Sequence, residues 1–203
     1  MISLHQVNPE NPDCTHKINM ESSEKEDASI LPKGYSYHKE GYLWYILPAE
    51  KFDGLPETVY AEGKSFNRKS EFHVTVVNAG WIAREIGGGD PKKVLGAEVA
   101  LQKILAQYVE ETPISFVRFK DDLRLAVSSE RESIVARCVM QNLEGYFERI
   151  KERYNKEFPT QPAHVSIYTA TGAAVGIDSA EQMESFKKVE LPEVQQVLDK
   201  ILI

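Results

Sequence analysis

The stretch EFHVTVVNAG, residues 71–80, decides how this chain is read. Phe72, Val74, Val76 and Val77 are residues of a buried β-strand, yet His73 sits among them with Thr75 two positions on. Side chains alternate between faces along a strand, so His73 and Thr75 share one face, about 6.6 Å apart along it, and Val74 and Val76 take the other. The same arrangement returns in PAHVSIYTATG, residues 162–172, where His164 and Ser166 share a face and Val165 and Ile167 oppose them. The whole chain has five histidines, so two of them in matched strand positions stand out from the structural histidine that a single occurrence would represent.

Around these two strands the sequence predicts a mixed order of strand, strand, helix, strand, strand, helix, strand, helix. GYLWYILP (41–48) is a strand closed by Pro48, with Trp44 and Tyr45 assigned to the core. IGGGDP (86–91) is a loop without the Gly-Lys-Ser/Thr ending of a phosphate-binding P-loop. Pro91 opens a helix with Val94, Leu95, Leu101, Ile104, Leu105 and Tyr108 on one side. ISFVRF (114–119) and LRLAVS (123–128) are expected as two strands joined by a turn at Asp121-Asp122. Ser129 and Glu132 have capping-box spacing for a long helix that carries Cys138 as a small core residue. Asp178 is the expected N-cap of a short helix, and Pro192 begins a last helix whose Val194, Val197, Leu198 and Ile201 dock on the domain. Short connections favour antiparallel pairs, so the fold class is α+β.

With 203 residues, 42% hydrophobic and 27% charged, the chain can bury one large core or two lobes that share one. Residues 1–34, with NPENPDC (8–14) and MESSEKEDAS (20–29), are polar and aperiodic, a mobile tail or irregular wrap; residues 35–203 are expected to be the folded part. Cys14 and His16 lack the further ligands of a zinc site. A net charge of −7 argues against a tight, sequence-independent grip on long double-stranded nucleic acid, which needs many Lys and Arg contacts. It leaves room for a short oligonucleotide or a small phosphorylated ligand. Two cysteines form no disulfide framework and no early apolar run has the length of a signal peptide or membrane span, so a cytoplasmic compartment is expected. Oligomeric state is left open.

Two imidazoles and two hydroxyls meeting in a cleft have a chemical purpose. Near neutral pH one imidazole can accept a proton while the other donates one, the pair of roles that phosphodiester hydrolysis requires. The hydroxyls of Thr75 and Ser166 can donate to non-bridging phosphate oxygens, and no metal or other cofactor enters this scheme. The pair HVTV (73–76) and HVSI (164–167) resembles the motifs of the 2H phosphoesterase superfamily, LigT-like or cyclic phosphodiesterase-like proteins, over about residues 38–190. The resemblance implies two pseudo-symmetric α+β lobes with antiparallel sheets around a central cleft, helices on the outside. It also implies metal-independent hydrolysis of 2′,3′-cyclic phosphates or RNA-end phosphodiesters, with His73 and His164 as the acid–base pair and Thr75 and Ser166 as phosphate-binding hydroxyls. His164 as base and His73 as acid is the preferred assignment, which the sequence does not settle. Where several bacterial RNA-ligase-like members carry Arg-Pro-His, this chain has QPAHVS (161–166), so the subfamily stays open.

Lys64, Arg68 and Lys69, which precede the first motif, are candidates for substrate contacts at the cleft mouth, although as a solvated face they need no function. Tyr168 follows Ser166 by the period of two and either stacks on a base or caps the core edge. Two other functions are weighed: a non-catalytic module binding a nucleotide or RNA end on the same fold, and a metal hydrolase using both histidines. The latter lacks an acidic third ligand on the matching face of either motif.

Overall fold

The alternation in FHVTVVN forms β5 (Phe72–Asn78), which joins β1 (Tyr35–His38) and β2 (Tyr42–Leu47) in an antiparallel sheet of order β1-β2-β5. The computed structural model describes residues 30–202, so Cys14, His16 and most of the N-terminal segment lie outside the described residues. Leu31 is buried in a core cluster, which places the start of packing upstream of Tyr35. The second sheet has the order β3-β4-β8-β7-β6-β9, from β3 (Thr58–Ala61), β4 (Lys64–Arg68), β8 (His164–Thr169), β7 (Glu132–Gln141), β6 (Ser115–Val127) and β9 (Lys187–Lys188). Helices α1 (Ala79–Gly87), α2 (Pro91–Glu111), α3 (Leu143–Tyr154), α4 (Ala180–Ser185) and α5 (Pro192–Leu198) complete an α+β fold with two unequal antiparallel sheets.

Two main cores hold the sheets in place. Phe72 and Val74 of β5 pack with Val165 and Ile167 of β8, Ile134 of β7, and Val194 and Leu198 of α5. The apolar face of the C-terminal helix, with Ile201 beyond it, is therefore turned inward. Val76 and Val77 leave that cluster for a second one, with Leu43 and the inner faces of α1, α2 and α3. The pairing of β2 with β5 shifts register between Leu43 and Trp44, which lets two successive valines enter the same core. Burying such side chains contributes about 1.5–3 kcal/mol each, so each strand is anchored strongly on its apolar face while the histidine face stays clear.

Where the turn near Gly41 meets α1, space is tight. Gly80 donates its backbone N–H to the Gly41 carbonyl at 2.8 Å, and a Cβ on Gly41 would lie 2.7 Å from the Gly80 Cα. Only glycine permits this approach beside the end of β5.

Four expectations are corrected. β6 runs through Asp121-Asp122 as one strand, with register shifts between Phe116 and Arg118 and between Phe119 and Leu123. Asp122 is buried there because Arg124 donates to its Oδ1 at 2.8 Å and Arg137 to its Oδ2 at 3.0 Å. Burial acts to raise this carboxyl, but the two guanidiniums hold it below the usual carboxylate range. The segment after Ser129 is the strand β7, and helix starts only at Leu143. Ser128 to Arg131 is the hairpin turn, with the Ser128 N–H donating to the Arg131 carbonyl at 2.8 Å. β7 lies between β8 and β6 and buries residues on both faces, so its apolar run imitates a helical stripe. Cys138 is still a small core residue, its thiol pushed up to about 12 by burial. The cap of α4 is Ser179, not Asp178, its Oγ accepting from the Gln182 N–H at 3.1 Å. On α2, Leu95 points outward, 63% exposed.

Candidate active site

His73 and Thr75 of β5 and His164 and Ser166 of β8 line one cleft of about 380 Å³ between the sheets. Period-two alternation puts each imidazole beside its hydroxyl, and packing of Phe72 and Val74 against Val165 and Ile167 brings the two strands together.

His73 is held by stacking. Trp44 lies opposite Thr75 on β2, and its ring stacks on the His73 ring at 3.9 Å with 12° between the planes. The same indole stacks on His38 at 4.4 Å, so three rings form a ladder along one side of the cleft. Burial pushes the His73 pKa down to about 3, and the positive charges of Lys69, His164 and His38 push the same way.

His164 is held by a hydrogen bond. It is 8% exposed, and its Nδ1 lies 2.7 Å from the Pro162 carbonyl oxygen. A carbonyl only accepts, so Nδ1 carries the hydrogen and Nε2 of the neutral ring keeps its lone pair. Burial lowers the His164 pKa and Lys69 lowers it further, while the Pro162 carbonyl and Asp178 act in the opposite sense.

Lys69 lines the cleft together with His38, His73, Arg131 and His164. Its backbone N–H donates to the Ile167 carbonyl at 2.9 Å, which docks the residue after β4 against β8. Burial lowers its pKa, with Glu71 opposing. Burial thus disfavours the charged forms of His73, His164 and Lys69 in this cleft, a perturbation that a bound anion would offset.

Three residues expected at the substrate lie elsewhere. Tyr168 is fully buried in the first core, its hydroxyl donating to the Pro56 carbonyl at 3.0 Å. The reason is a bulge: Ile134 faces Tyr168 and Val135 faces Ser166, so one extra residue on β8 breaks the period of two. Arg68 donates to the Phe52 carbonyl at 2.8 Å and pairs with Glu57, away from the cleft. Lys64 pairs with Glu132 on the outer part of the sheet.

Trp44, assigned to the core from sequence, belongs to the cleft. Tyr42 lines it too, two residues earlier on β2; that alternation was readable, but the pairing of β2 with β5 was not. Arg131 and the small-residue loop Gly172–Ile177 form the opposite wall. That loop is tied down by the Val175 N–H donating to Ser133 Oγ at 2.9 Å and by Arg131 donating to the Ala174 carbonyl at 3.4 Å.

Among the described residues, no three His, Cys, Asp or Glu side chains come together as metal ligands, and no helix is long and apolar enough to cross a membrane. No family model, curated protein or solved structure matches the chain. What the cleft does must be argued from its own geometry.

Proposed function

We propose that this protein is a phosphodiesterase of the 2H type that hydrolyses cyclic phosphodiesters, 2′,3′-cyclic nucleotides or RNA ends that carry the same group. The observation that carries the reading is the convergence of His73, Thr75, His164 and Ser166, from distant parts of the chain, on a cleft that also holds Lys69. A cyclic phosphate monoanion entering there favours the charged forms of Lys69 and of one imidazole, and the hydroxyls of Thr75 and Ser166 donate to its non-bridging oxygens. Water attacks phosphorus and gives its proton to His164 Nε2, the lone pair that the Pro162 contact leaves free. The bond from phosphorus to one ribose oxygen breaks, and protonated His73 delivers its proton to that oxygen. A phosphomonoester and a free hydroxyl result, and proton exchange with solvent restores both rings. None of these steps calls for a metal. The work belongs to RNA-end processing in the cytoplasm, a setting that fits the free buried Cys138.

The second reading is a binding module that grips a nucleotide or RNA end without turning it over. The low proton affinity of both imidazoles favours it, because burial disfavours the charged ring that an acid step needs. Incubation with 2′,3′-cyclic mononucleotides in EDTA separates the two. Ring opening, seen as gain of one water by mass spectrometry, is the expected result. Thermal stabilisation by these ligands without product would leave only the binding module, and neither effect with any cyclic or oligonucleotide ligand would end both.

A further inference from the structure

Beyond the phosphate site the cleft continues. Gln161 lines it and also lines a second cavity of about 270 Å³, with Val77, Ile82, Trp81, Pro159, Asn78 and Asp178. That volume equals the liquid volume of about nine water molecules at roughly 30 Å³ each, room for a flat heterocycle. Val77 and Ile82 form a buried apolar floor, while Trp81 is 36% exposed in the first turn of α1. The Trp81 backbone N–H donates to Asn78 Oδ1 at 3.0 Å, which caps α1 just past the end of the strand that carries His73 and Thr75, and the indole meets the Phe158 ring edge-on at 6.3 Å. Thr75 and Asn78 are three residues apart on that strand, roughly 10 Å along it, the order of the distance from a nucleoside's 3′-oxygen to the far edge of a purine base.

The polar rim selects among bases. Gln161 Nε2 donates to Asp178 Oδ1 at 3.1 Å, and this contact sets the amide orientation, because two oxygens would repel. The Asp178 backbone N–H in turn donates to Gln182 Oε1 at 2.8 Å, which anchors the main chain that carries the carboxylate. Asp178 is exposed and acceptor-only when ionised, and Gln161 Oε1 is a buried acceptor without a partner among the described residues. A rim of acceptors without a cation calls for a ligand edge of donors. Among the common bases only guanine sets a ring N–H beside an amino group, the pair that one carboxylate can accept.

We infer that this second cavity is a nucleobase subsite with a preference for guanine, seated by Trp81 and read by Asp178. The inference rests on the phosphodiesterase reading of the adjoining cleft, but its test does not depend on turnover. The experiment compares kcat/KM for the 2′,3′-cyclic phosphates of guanosine, inosine and uridine, alongside calorimetric binding of 3′-GMP, 3′-IMP and 3′-UMP. Guanosine should exceed inosine, which lacks only the amino group, by about tenfold in both measurements. In Asp178→Asn the guanosine-to-inosine ratio should fall toward one, and Trp81→Ala should weaken all three ligands together. Equal values for guanosine and inosine, or a preference that survives Asp178→Asn, would overturn the subsite. Preferential 3′-GMP binding without any turnover would keep the subsite and remove the hydrolytic reading. Turnover without base preference would do the reverse.

Discussion

His73 and His164 open the same four-residue pattern, yet the molecule holds them by different forces. β5 ends its sheet, and its histidine is half-buried, flat against Trp44 and without a hydrogen bond among the described residues. β8 is flanked by β4 and β7, and its histidine is buried with one nitrogen committed to the Pro162 carbonyl. Stacking fixes the plane of a ring and leaves both nitrogens able to exchange protons. A hydrogen bond to a carbonyl fixes the tautomer and reserves the other nitrogen as an acceptor. On the proposed reading, the difference favours His73 as acid and His164 as base.

The strongest way to break that assignment is to remove each ring and change the leaving group. His73→Ala and His164→Ala should each lower kcat on a 2′,3′-cyclic nucleotide by about 10²–10⁴-fold, with circular dichroism showing retained secondary structure. On bis(4-nitrophenyl) phosphate the departing phenolate needs no proton. There the His73→Ala loss should shrink toward unity while the His164→Ala loss persists. The opposite pattern would exchange the roles. A smaller effect is expected from the hydroxyls: Thr75→Val and Ser166→Ala should each cost about 10²-fold in kcat, as loss of one preorganised donor to a charged oxygen does. Equal losses are the expected outcome if both hydroxyls serve the same phosphate. A loss confined to one would place the phosphate nearer that strand.

The pH profile sharpens the comparison further. The proposed mechanism needs His73 protonated and His164 neutral, and both imidazoles titrate below the ordinary value near 6.5. The optimum of kcat/KM should therefore lie on the acid side of about pH 6.5, with limbs that belong to the coupled pair. An optimum above pH 7 would mean that the burial seen here does not govern the working enzyme.

The motif face was legible in the sequence because a period of two is a strong rule and histidine is rare in this chain. Lys69 was legible as charge beside the motif, but Lys64 and Arg68 carry the same charge and are bound to Glu132 and Glu57 instead. Nothing local distinguishes the three. Tyr168 followed the rule that located His164 and Ser166, and failed because a bulge depends on how β7 pairs with β8. Trp44 was hidden for a related reason: its partnership with His73 exists only once β2 and β5 lie side by side. Across β7 the apolar residues answer to burial on two faces, so no period could separate strand from helix. Asp122 looked like a turn residue because its partners Arg124 and Arg137 neutralise it only in the folded sheet.

The subtlest effect concerns the ring ladder itself. Burial is the largest cause of the low His73 pKa, and the Trp44 indole covers that ring at 3.9 Å. Trp44→Leu should expose the imidazole and let its pKa climb from about 3 toward the ordinary value. Two-dimensional NMR of the imidazole through a pH titration reads this directly. Stability should respond in a defined direction. The unfolded imidazole takes its proton near pH 6.5, whereas folded His73 does so only near 3, so between these values the unfolded chain holds more protons. The contribution of neutral His73 is thus complete above about pH 6.5 and is lost progressively toward pH 3. In Trp44→Leu that acid-side loss should be shallower, measured as urea unfolding at two pH values on either side of neutral imidazole titration. If the His73 pKa stays near 3 in the variant, the charges of Lys69 and His164, rather than the indole, hold the proton off, and the acid would be tuned from across the cleft.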